Sequence, residues 1–118
     1  MNKKSIVLGA TNGFLAVAIG AFGAHALGPI LNEHTKVSFE TGSKYHFYHA
    51  LALLFTGLMT QIPKWIPLAF TFGILLFSGS LYALAITKVS AFGFFTPLGG
   101  ILFLSGWLGV LWQAQRLR

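Results

Sequence analysis

The chain has 118 residues, room for one domain, and 55% of them are apolar against 8% charged, with a mean hydropathy of +0.74. A soluble domain solvates its surface with about a quarter charged residues, so this exterior is expected to face lipid. The formal charge of +6 does not imply a nucleic-acid partner, because Lys3, Lys4, Lys64, Arg116 and Arg118 stand at the ends of apolar runs, as in a positive-inside membrane protein.

The start, Met1-Asn2-Lys3-Lys4, resembles the charged region of a signal peptide. The apolar run behind it is too long and lacks a small-x-small cleavage site, so it is read as a retained first helix. A spanning helix needs about 20 mainly apolar residues, and four segments qualify. The first covers about 5–27 and ends at Gly28-Pro29. Residues 30–43 carry Glu33, His34, Lys36 and Glu40 and read as a polar connection or a short amphipathic helix. The second span covers about 44–61, closed by Pro63, and the third about 65–86. A turn at 87–92 leads to the fourth, about 94–113, with Thr96 as N-cap and Pro97 in the first turn if the helix proper begins one turn late. The expected fold is an all-α integral membrane four-helix bundle, a single four-span domain over 1–118.

Four spans put both termini on one side, with five basic residues there against Lys36, Lys44 and Lys88 on the other. That bias favours cytoplasmic termini. Trp65 and Trp112 then fall near the cytoplasmic interface, and Tyr45, Tyr48 and the Phe92, Phe94, Phe95 group near the outer one.

Close packing, not a hydrophobic drive, holds helices together in lipid, so small residues mark contacts. Gly9, Gly13, Gly20 and Ala24 form such a stripe in the first helix; Gly79 serves the third, and Gly99, Gly100 and Gly106 the fourth. The stripes suit internal packing or self-association.

No cysteine is present, which removes disulfides, Cys-based metal centres and cysteine nucleophiles. Glu33 and Glu40 are the only acids, and no phosphate loop or nucleophile elbow appears, so an enzyme is not expected. Lys and Arg are absent from the span interiors, and histidine, which can be neutral, is the exception. If the second helix begins near Lys44, then His25, His46 and His49 share one outer-leaflet layer, with Tyr45 and Tyr48 beside them. Such a cluster suits hydrogen bonding, proton handling, or ligation of a metal or haem iron. A closed zinc site wants four ligands and only three histidines are in reach, so no metal site is assigned and the cofactor stays unknown. Asn12 and Tyr82 are each expected to make an interhelical hydrogen bond.

Several of these segments resemble one family. They are Gly20-Ala21-Phe22-Gly23-Ala24-His25-Ala26-Leu27, Phe39-Glu40-Thr41, Tyr45-His46-Phe47-Tyr48-His49-Ala50-Leu51, Phe77-Ser78-Gly79-Ser80-Leu81-Tyr82, and Thr96-Pro97-Leu98-Gly99-Gly100 with Gly106-Trp107. The chain is similar over nearly its whole length to the YgdD-like family of small membrane proteins, a domain of unknown function found in bacteria with eukaryotic relatives. The resemblance implies a four-span protein of the bacterial plasma membrane and supplies no function. Many relatives carry glutamine at position 46, which makes His25 and His49, with Tyr45 and Tyr48, the shared cluster.

Three functions remain in play. The first is a non-enzymatic accessory, assembly or subunit component that packs against another membrane protein or itself. The second is a redox or proton-coupled subunit in which His25 and His49 bind haem, metal or quinone. The third is an oligomeric small transporter or channel.

Overall fold

The computed structural model describes residues 2–117, so Arg118, counted above in the charge bias, lies outside the described residues. Helix α1 (Lys3–Leu27) starts where the Asn2 side chain accepts the Ser5 amide, satisfying one of the first turn's free donors. Helix α2 (Glu33–Leu58) starts on a reciprocal capping box. The Thr35 amide donates to Asn32 Oδ1 at 2.8 Å, and the Asn32 amide donates to Thr35 Oγ1 at 2.9 Å. This cap corrects the expected start at Lys44. The stretch 30–43, expected as a polar connection or a short amphipathic helix, supplies about three turns of continuous helix from Glu33 onward.

Helix α3 (Trp65–Thr87) is α-helical at both ends and widens to a π-helical segment at Ile74–Ser78, where the Gly79 amide reaches back to the Ile74 carbonyl. Lys88 closes it in the left-handed conformation, φ 60°. A short 3-10 turn, Ser90–Phe94, leads into α4 (Thr96–Gln115), with Pro97 in its first turn. Thr96 does not act as the N-cap; its hydroxyl meets Ser80 Oγ of α3 at 2.6 Å.

The elements make an all-α membrane bundle in which successive helices run antiparallel and pack as neighbours. Helix α1 lies against α2, α2 against α3, and α4 against α3, within an envelope of 52 × 25 × 17 Å. The core gathers Ala52 and Leu53 of α2, Ile66, Phe70 and Ile74 of α3, and Phe103 of α4. Outside it the usual order is reversed. Phe14 and Phe22 of α1 are 73% and 74% exposed. Among the described residues, three stretches are long and apolar enough to cross a membrane: Lys3–Leu27, Trp65–Thr87 and Ser90–Gln115.

The closest backbone approaches fall at glycines. A Cβ at Gly9 would lie 2.7 Å from the Leu54 amide nitrogen, so α1 rides directly on the α2 backbone. A Cβ at Gly99 would collide with the Phe77 amide nitrogen, and one at Gly106 would lie 2.6 Å from the Phe70 ring. Gly13 and Gly100 have only ordinary contacts, 4.0 Å to Ala50 and 3.9 Å to Phe77. Gly79 faces no neighbouring helix; the nearest atom to its Cβ position is the Ile74 carbonyl oxygen, 3.9 Å away in its own helix. Further close approaches fall at Gly109 on Ile66 and, without being anticipated, at Gly57 on Ile6 and Gly73 on the Phe103 ring.

These distances separate two glycines of one expected set. Gly99→Ala should destabilise the detergent-solubilised protein by about 1–3 kcal/mol through overpacking. Gly79→Ala should leave the melting temperature unchanged, or raise it by up to the ~1 kcal/mol that alanine gains over glycine in a helix. Thermal unfolding followed by circular dichroism measures both, and equal losses would contradict the packing described.

Candidate functional site

The buried polar groups of the bundle are organised by two histidines of α2. Because α2 begins at Glu33, His46 lies thirteen residues along it and His49 sixteen, close to the helix midpoint. Each is 4% exposed. Three residues apart, they point to different neighbours.

His46 sits between α1 and α3. Its Nε2 lies 3.0 Å from Asn12 Oδ1 and its Nδ1 3.0 Å from the Tyr82 hydroxyl. Asn12 donates from Nδ2 to the Leu8 carbonyl at 2.9 Å, which settles which end of its amide faces the ring. Asn12 Oδ1 can only accept, so the proton of neutral His46 is on Nε2, and Nδ1 receives the Tyr82 O–H. One connected path thus runs from Tyr82 through His46 and Asn12 to the Leu8 carbonyl.

His49 faces α4. The indole N–H of Trp107 donates to His49 Nε2 at 3.0 Å, and His49 Nδ1 lies 2.7 Å from the Tyr45 carbonyl one turn back. An indole nitrogen is only a donor and a carbonyl only an acceptor, so the proton is on Nδ1, the opposite tautomer to His46. The Phe103 ring stacks on the imidazole with centroids 3.5 Å apart and planes within 6°. Both ring nitrogens are engaged, leaving no lone pair for a metal while these bonds hold.

The structure does not assemble the expected cluster. His25 is exposed near the end of α1, at the level where Gly23 meets Phe39 of α2. That is roughly 18 Å along the bundle from His49 at 1.5 Å per residue. The shared outer-leaflet layer depended on a short second helix, and the capping box at Asn32 removes it. Tyr45 and Tyr48 are half-exposed and, with His49 of the same helix, line a groove of about 610 Å³ between α2 and α4, with Phe103 and Trp107 on its other wall. Among the described residues, no group of three or more His, Asp or Glu side chains is placed to hold a metal ion.

Two members of the network were treated singly in the sequence, Asn12 and Tyr82, and Trp107 was not singled out at all. Its signal was its position. An indole N–H in the middle of an apolar span has no water to bond and needs an acceptor nearby. A separate tie closes the end near the termini, where buried Gln113 donates to the carbonyl of Gln61, the left-handed residue of the α2–α3 turn.

Comparison with known proteins places relatives beside this architecture. Residues 19–100 match the family described as "Protein of unknown function (DUF423)". A "UPF0382 membrane protein" of Staphylococcus epidermidis is 44% identical over 110 residues, covering 90% of each chain. "UPF0382 membrane protein YwdK" of Bacillus subtilis is 42% identical, covering 97% of this chain and 98% of its own. "UPF0382 inner membrane protein YgdD" of Escherichia coli is 38% identical, covering 99% and 93%. No solved structure matches.

The network ranks the histidines. His49→Ala opens a cavity and leaves the Trp107 N–H unanswered, and should cost about 2–4 kcal/mol, whereas exposed His34→Ala should stay within about 0.5 kcal/mol. His46→Gln keeps one donor and one acceptor between Asn12 and Tyr82, and should retain more stability than His46→Leu. Melting temperatures in one detergent test the order, and equal values for the His49 and His34 variants would contradict it.

Proposed function

We propose that this chain, which belongs to the DUF423 family of membrane proteins, is a non-enzymatic component of a larger membrane assembly. It works as an accessory, assembly or subunit protein that packs against another membrane protein or a second copy of itself. The observation that carries the reading is the closure of the buried network. His46, His49, Asn12, Tyr82 and Trp107 spend their polar groups on one another and on backbone carbonyls. Such groups hold helices in register and leave little over for chemistry. The exterior offers a large apolar surface, including Phe14, Phe22, Leu104 and Leu108, suited to lipid and to partner helices alike.

We place the protein in the bacterial plasma membrane as a four-span protein with both termini in the cytoplasm. The excess of Lys and Arg at the end that holds the termini supports this orientation. Helix α2 then crosses with its charged first turns toward the opposite interface.

A second reading has one specific observation in its favour. The groove of about 610 Å³ between α2 and α4 is walled by aromatic rings and carries the half-exposed phenols of Tyr45 and Tyr48, a setting suited to the headgroup of a quinone in a redox or proton-coupled subunit.

Native-membrane extraction in mild detergent, followed by mass spectrometry and elemental analysis, separates the two. The accessory role predicts a colourless preparation that comigrates in fixed stoichiometry with a larger membrane protein or as a defined homo-oligomer. A free monomer carrying one quinone, haem or metal per chain would contradict it and favour the redox reading.

A further inference from the structure

The first turns of α2 present Lys36, Glu40 and Lys44 at intervals of four residues, a single charged stripe along one face of the helix. Across from them stand Gly20, Ala24 and Gly28 at the end of α1, at the same interval. The two stripes are the walls of a cleft of about 340 Å³. Gly20 closes its inner end against Ser43, where an added Cβ would lie 2.6 Å from Oγ, Ala24 and Gly28 leave it open beyond, and all three charged residues are exposed at its edge.

The cleft does not stop at the charges. It passes Gly20, Lys44 and Phe47 into a second trough, of about 510 Å³, between Gly13 and Val17 of α1 and Phe47, Leu51 and Leu54 of α2. The same side of the α1–α2 pair is thus charged at one end and apolar at the other. From Lys44 to Leu54 is about 15 Å along the helix, half of a hydrocarbon core of about 30 Å. That is the depth of one leaflet. The charged part extends a further two turns, to Lys36, at headgroup depth.

We propose that this trough holds one phosphatidylethanolamine molecule from the leaflet opposite the chain termini. Its phosphate lies between the ammonium groups of Lys36 and Lys44, its headgroup amine on the Glu40 carboxylate, and an acyl chain along Val17, Gly13 and the Phe47–Leu54 face. The charge pattern selects this headgroup. Two cations answer the phosphate and one carboxylate answers one ammonium that can donate hydrogen bonds. Phosphatidylglycerol has no cation for Glu40, and the quaternary nitrogen of phosphatidylcholine has no N–H to give it.

Delipidated full-length protein in detergent, titrated in turn with phosphatidylethanolamine, phosphatidylglycerol and phosphatidylcholine and followed by native mass spectrometry, tests the assignment. The wild type should retain phosphatidylethanolamine about tenfold better than either of the others, the lower end of the increment expected of one hydrogen bond to a charged group. Glu40→Gln should erase that preference while still binding phosphatidylglycerol. Lys36→Gln with Lys44→Gln should weaken all three lipids, and Ala24→Phe, which fills the cleft without touching a charge, should do the same. Lys64→Gln, at the other end of the bundle, should change nothing. Equal retention of the three lipids by the wild type, an unaltered preference in Glu40→Gln, or undiminished lipid retention in Ala24→Phe, would overturn the proposal.

Discussion

In hydrocarbon a polar side chain has no water to return to, so every such group inside a span has to be answered by another group of the protein. In this bundle the answers converge on α2. His46 reaches Asn12 of α1 and Tyr82 of α3, and His49, one turn further on, receives the indole N–H of Trp107 from α4. Two side chains on one helix therefore contact all three others at mid-bundle. Individual interhelical hydrogen bonds in membranes are modest, averaging about 0.6 kcal/mol. Their effect on register is larger than that figure suggests, because sliding or rotating one helix breaks several of them together. Close glycine approaches, Gly9 on Leu54 and Gly106 on Phe70, supply the contact surface over which these bonds are made.

The sequence disclosed the bundle because lipid imposes a simple rule: long apolar stretches with charges at their ends can do little else. The glycines at 9, 99 and 106 were legible for the same reason, since close packing is the main attraction left between helices. Gly79 shows the limit of that logic, because a small residue in a span marks a contact only when its face is turned to a neighbour. The start of α2 was misplaced because charge was weighed above capping. Glu33, His34, Lys36 and Glu40 suggested a polar connection or a short separate helix, while Asn32 and Thr35 carried the local signal for one continuous helix. That one error moved His46 and His49 from the end of a helix to its middle and created an apparent cluster with His25.

The network and the surface suggest a division of labour. The polar groups around His46 and His49 are consumed in holding four helices together, so interactions with the surroundings fall to the periphery. The aromatic groove beside His49 and the charged trough between α1 and α2 lie on different helix pairs. A small bundle with a rigid polar centre, an apolar exterior and a headgroup-depth charge stripe has the physical attributes of a component that meets lipid and partner proteins together.

Two neutral histidines of opposite tautomer join the helices. Nitrogen-15 spectra of histidine-labelled protein in lipid bilayers, assigned with His46→Gln and His49→Ala, report the protonated nitrogen of each ring directly. The account predicts a proton on Nε2 of His46 and on Nδ1 of His49, with the His49 signal perturbed by Trp107→Phe. The same tautomer at both sites, or a His49 signal indifferent to Trp107, would contradict it.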